Sequence, residues 1–151
     1  MLAVLVAAPA LAASEDETVE SHSGLPQTVI VLDSAVVRPS EVTLEQQGAL
    51  VFENHSVYAM LVHFIEPKDA AEKIHCHFVR RAKGQKAPSA PWLLFGIDAG
   101  KVAATIPPGR FASLCSFTPG TYAFTAEPVR ISNAPVGRGR VLPEKGQIVV
   151  R

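Results

Sequence analysis

In the segment KIHCHF, His75 and His77 flank Cys76, and two imidazoles beside a thiol form a donor set suited to copper or zinc. Cys115 is the second of the two cysteines, and His55, Met60 and His63 add nitrogen and thioether donors a short distance upstream. Whether residues 75–77 can chelate depends on the backbone. On a strand, His75 and His77 share a face about 6.5 to 7 Å apart, with Cys76 turned toward the core beside Ile74 and Phe78. On a helix each residue turns by roughly 100°, which sets the two imidazoles about 200° apart and prevents them from sharing an ion. The longer stretch EPKDAAEKIHCHFVRRAKG favours the helix. Ala70, Ala71, Ile74, Phe78 and Ala82 line one stripe, and Glu72, Lys73, Arg80 and Lys83 lie opposite. Pro67 suits a first turn, Asp69 the positive end of the dipole, Arg80, Arg81 and Lys83 the negative end, and Gly84 a stop. The pattern predicts one short helix near 68–83, on which the His-Cys-His string is not a metal site.

The elements that must position these side chains are mostly strands. A chain of 151 residues, 48% hydrophobic and 19% charged, is the size of one domain with a substantial core. Its formal net charge of zero lacks the basic footprint of a nucleic-acid binder, so no nucleic acid is expected as partner. Residues 1–13, MLAVLVAAPALAA, are apolar, too short to span a bilayer, and end in an Ala-x-Ala pattern at Ala10 and Ala12. They read as a signal peptide, although no Lys or Arg precedes Arg38, so the true start of the signal is left open. Residues 14–26 carry Glu15, Asp16, Glu17 and Glu20 among Ser and Thr, the composition of a flexible acidic leader. The domain proper is expected over 27–151, in a periplasmic or secreted location.

From Thr28 the chain turns into short β-branched runs broken by Pro, Gly and Asn, the pattern of an all-β sandwich or barrel. TVIVLDSAVVRP, EVTLEQQG, ALVFENHS, MLVHFIEP, KVAATIPPG, FASLCSF, TYAFTAEP and QIVV are about eight candidate strands. Pro39, Gly48, Pro107-Pro108-Gly109 and Thr118-Pro119-Gly120 mark turns, and residues 84–92 read as a loop. On FASLCSF, alternation groups Phe111, Ser113, Cys115 and Phe117 on the expected inward face.

From Val37 onward the order of these motifs resembles the cupredoxins, in particular the plastocyanin-like domains of exported bacterial proteins. VVRPSEVTLEQQGALVFENHS is similar to the family's opening strands, which end in Phe-x-Asn. FTPGTYAFTAEP resembles the Pro-Gly-x-Tyr-x-Phe strand that leads to the copper loop, and GQIVV the closing strand. The resemblance implies a Greek-key β-sandwich with one inserted short helix, followed by a Pro-Trp such as Pro91-Trp92. It also implies where type 1 copper ligands would stand. The first histidine falls on Met60, the cysteine on Ala126 and the second histidine on Val129. Since such a centre needs two imidazoles and a thiolate, with only a weak axial ligand besides, the resemblance implies a degenerate site.

The other chemistry-bearing residues have plain readings beside functional ones. His55, Met60, His63, His75 and His77 form the remaining set from which copper could draw three ligands, against surface histidines and a core methionine. Cys76 and Cys115 are a candidate disulfide if the chain is exported, although the helix would set Cys76 among charged residues. Arg130, Arg138, Arg140 and Lys145 form a candidate basic patch for an acidic partner or anionic headgroups, or simply a solvated surface. SHSG near residue 22 has no positioned acid partner, and no nucleophile elbow, phosphate loop or carboxylate pair appears, so no catalytic residue is assigned. The reading is a non-enzymatic, exported scaffold module without a cofactor. It serves a protein partner or a membrane-associated assembly, as a monomer or accessory subunit. The alternative is a periplasmic copper-binding or metal-handling protein with a site unlike type 1.

Overall fold

The computed structural model describes residues 25–33, 36–76, 79–80, 95–129 and 143–151. The signal peptide, nearly all of the acidic leader, His77, the loop at 84–92 and Pro91-Trp92 lie outside these residues. Two sheets face each other across an apolar interior. The smaller has the order β2-β1-β4-β9, built from β1 (Gln27–Leu32), β2 (Val37–Arg38), β4 (Ala49–Asn54) and β9 (Phe111–Cys115). The larger has the order β3-β11-β10-β5-β8-β7-β6. Its strands are β3 (Glu41–Leu44), β5 (Met60–Glu66), β6 (Val79–Arg80), β7 (Gly96–Asp98), β8 (Lys101–Ile106), β10 (Gly120–Pro128) and β11 (Glu144–Val150). β1 pairs with β4 in parallel, and β11 with β3 in parallel, so the chain crosses between sheets at both pairings. The result is an all-β sandwich with one short helix, α1 (Ala70–Lys73).

Alternation explains which faces meet. Leu50 and Phe52 of β4 are fully buried, as are Ala112 and Leu114 of β9, which pair with them in register. Met60, Val62 and Phe64 of β5, with Tyr122, Phe124 and Ala126 of β10, form the facing layer. Phe52 joins the sheets by meeting the Phe124 ring edge-on at 5.0 Å between centroids, and Phe95 lies 5.6 Å from it. Such edge-to-face pairs add about 0.5–1.5 kcal/mol each beyond their buried area. Gly146 is opposite Phe124 in the β10–β11 register, and a Cβ there would collide with the ring, so the core needs glycine at this point.

Three local expectations are corrected. Helix α1 is four residues long and stops at Ile74, whose backbone is extended (φ −108°, ψ 115°). Ile74 bridges to Phe117, and the His75 N–H donates to Ser116 O at 2.9 Å, so pairing with the end of β9 overrides the helical period. A helix this short has little stability of its own with which to compete. From Ile74 to Cys76 the chain alternates buried, exposed, half-buried, as a strand does, and the angular argument against a joint His75–His77 site no longer applies. The inward face of β9 is Ala112 and Leu114, whereas Phe111 is 42% exposed and Ser113 and Cys115 are half-buried. Phe117 does enter the core, because Ser116 adopts a left-handed conformation (φ 55°) that reverses the alternation. Finally, TVIVLDSAVVRP divides into β1 and β2, and β6 and β7 are additional strands.

Candidate functional site

The end of the sandwich where β4 passes into β5 is organised by one side chain. Asn54 is fully buried, and its Nδ2 donates to Tyr58 O and to Ile106 O, both at 2.7 Å. Its Oδ1 accepts from the Ser56 N–H at 2.9 Å and the Ser56 hydroxyl at 2.7 Å, which fills the capacity of the amide. The Asn54 backbone accepts from Gly109, and its N–H donates to Arg110 O. The 55–59 loop is thereby pinned to the Pro107–Arg110 turn at the same end. Phe-x-Asn is therefore a structural signature here: the asparagine supplies the hydrogen bonds that the tight loop's own backbone cannot make.

The three positions where the resemblance puts copper ligands lie at the start of β5 and on or just after β10. Met60 pairs in register with Pro128, and Val62 with Ala126, so Met60 and Ala126 point to the same inward face of neighbouring strands. Met60 is 2% exposed and Ala126 1%. The Val129 N–H donates to Ala59 O at 2.7 Å, which holds Val129 against the residue before Met60. Met60 and Ala126 thus bring a thioether and a methyl group to the interior here, and Val129, half-buried, follows with an isopropyl group. None supplies the imidazole nitrogen or thiolate that a type 1 centre requires.

The remaining candidate ligands are dispersed. His55 lies in the exposed loop, its Nε2 3.1 Å from Glu53 Oε2. His63 is on the outer face of β5, opposite Thr125, whose Oγ1 lies 3.1 Å from His63 Nε2. His75 is at the far end of the sandwich, its Nε2 3.3 Å from Thr118 Oγ1. Met60 is inside. These four do not come together, and among the described residues no three His, Cys, Asp or Glu side chains are grouped to hold an ion. Of the basic residues, Lys145 is exposed on β11, and Arg130, Arg138 and Arg140 lie outside the described residues.

Two features of the far end had weak signals or none in the sequence. Cys76 and Cys115 form a disulfide across Cα atoms 5.5 Å apart, tying the segment after α1 to the last residue of β9. The Tyr122 hydroxyl donates to Thr118 O at 2.7 Å, with Lys73 O at 3.5 Å. Burial, and secondarily the negative charge of Asp69, raise the Tyr122 phenol above its ordinary pKa. At the loop end, Val57 and Tyr58 are 79% and 53% exposed, a surface feature that hydrophobic alternation could not reveal in a turn.

No family model and no curated protein matches the chain. Among solved structures, a reduced single-residue mutant of amicyanin matches with a TM-score of 0.50, at 12% identity over 87% of both chains. An oxidized mutant of amicyanin matches with the same TM-score, identity and coverage. Amicyanin is a cupredoxin. At this identity the likeness concerns the fold alone, and together with the two-sheet topology it shows that this chain has the cupredoxin fold, with a methionine, an alanine and a valine where the resemblance puts the copper ligands.

Proposed function

We propose that the protein is an exported, non-enzymatic binding module that uses the cupredoxin fold as a scaffold for a protein partner or a membrane-associated assembly and works without a type 1 copper centre. The observation that carries this reading is that Met60 and Ala126 share one buried apolar face at the loop end, with the Val129 backbone bonded to Ala59 beside them. Exposed Val57 and Tyr58 on the adjoining loop, with Phe111 across the same end, offer apolar surface suited to protein contact. The disulfide supports an oxidising compartment, periplasmic or extracellular, in line with the apolar segment 1–13.

Copper titration tests the reading. Purified protein loaded with Cu(II) and desalted is expected to retain no stoichiometric copper and to show no intense thiolate charge-transfer band. Stoichiometric copper with that band would overturn the proposal, and retained copper without it would favour the metal-handling alternative built on histidine and methionine. The triple variant Met60→His, Ala126→Cys, Val129→His provides the converse arm. If these positions are the former site, it should gain copper and the band together.

A further inference from the structure

At the end opposite the loop, a cleft of about 440 Å³ opens between the last residues of β5, the entry to α1 and the β7–β8 turn. Its volume lies within the range of small-molecule sites, about 300–1,000 Å³. The floor is apolar and continuous with the core: Phe64, Ala70 and Val102 are all buried, and the Phe64 ring is packed edge-on against Phe95 at 6.1 Å. The rim carries two cations, Lys68 and Lys101. Among the described side chains neither ammonium has an ion-pair partner, whereas nearby Lys73 is held by Asp69 at 3.4 Å; the side chain of Asp98, opposite Lys101 in register, lies outside those described. Glu66, between the lining residues Ile65 and Pro67, does not itself line the cleft.

The turn that presents Lys101 is unusual. Ala99 and Gly100 both have positive φ, 48° and 78°, as a two-residue hairpin between the paired Asp98 and Lys101 requires. Glycine, asparagine or aspartate normally occupies the first of these positions, so Ala99 accepts backbone strain there. It also places only a methyl group at the lip of the cleft.

We infer that this cleft binds a small anionic amphiphile, with a short alkyl or aryl body seated on Phe64 and Val102 and its carboxylate or sulfonate between Lys68 and Lys101. An apolar floor beneath two rim ammoniums complements both halves of such a molecule. Neither a neutral apolar compound nor a hydrophilic anion would use the whole site. The cleft shares no residue with the Met60–Ala126–Val129 spot, so this inference and the scaffold reading stand or fall separately.

The test is an amide-resolved NMR titration of the full chain with octanoate below its micelle concentration. Octanol and octylamine serve as neutral and cationic counterparts, and sedimentation with anionic phospholipid vesicles as a separate arm. Saturable shifts are expected at Ile65, Ala70, Gly100 and Val102 with octanoate, and weaker or no shifts with the counterparts. The surface variant Lys68→Gln, Lys101→Gln should keep the native spectrum and weaken octanoate binding about two- to thirtyfold, the range that two exposed charge contacts give together. No saturation at those amides, equal binding of octylamine, unchanged affinity in the double variant, or vesicle binding without octanoate binding would each overturn the inference.

Discussion

The two ends of the sandwich are held by different means. At the loop end one buried amide, Asn54, satisfies the backbone of the 55–59 loop and leaves Val57 and Tyr58 facing solvent. At the far end a covalent bond and a buried phenol tie α1 and the segment after it to β9 and the start of β10. The first arrangement shapes a surface while keeping the interior beneath it apolar. The second attaches an insertion whose own helix is too short to be stable. Hydrogen bonds from a single side chain suffice where the loop is short. An insertion of chain between strands requires a longer-range constraint.

That contrast can be broken from either end. The largest effect is expected from Cys76→Ala with Cys115→Ala. Removing a bridge across a sequence separation of 39 residues should cost roughly 3 to 4 kcal/mol by the chain-entropy argument, seen as a fall in the urea midpoint of the oxidised protein. A midpoint equal to wild type would show that the far end does not depend on the bond. Asn54→Ala comes next, at about 3 kcal/mol, because it leaves the buried Ile106 carbonyl without its donor and releases both Ser56 contacts. Hydrogen exchange should then quicken in residues 55–59 and not around Cys115, and a uniform loss of protection would contradict the division into two ends.

The smallest effect belongs to Tyr122→Phe, about 1 kcal/mol at neutral pH from the lost bond to Thr118 O. Its pH dependence is the sharper probe. The folded phenol has a raised pKa, so its contribution is fully present below the unfolded value, about pH 10, and is lost as pH rises through the folded value. Wild-type stability should decline more steeply above pH 10 than that of the variant in parallel denaturant series. Identical alkaline slopes would mean that the phenol is not the group involved.

Legibility followed the range of the interactions. The strands were readable because Thr28–Leu32, Val51–Asn54 and Tyr122–Ala126 carry their own β-branched or aromatic patterns, which pairing merely completes. The helical stripe from Ala70 to Ala82 was just as regular, yet the helix closes at Lys73, because Ile74 gains a backbone partner in Phe117 that sequence spacing does not reveal. Alternation selects the wrong face of β9 for a similar reason. Spacing puts Phe117 on the face of Cys115, and one left-handed residue, Ser116, separates them.

By itself the sequence determined the fold class, the turn positions and the chemical poverty of the would-be copper positions, since no folding can make an imidazole of Met60 or a thiolate of Ala126. Only the tertiary structure decided that Met60 and Ala126 share an inward face, that the Val129 backbone is bonded beside them, that Cys76 reaches Cys115 and that two lysines flank an apolar cleft. The physical reason is that side-chain chemistry is a property of each residue, while convergence depends on strand register and long-range pairing, which many residues distant in sequence settle together.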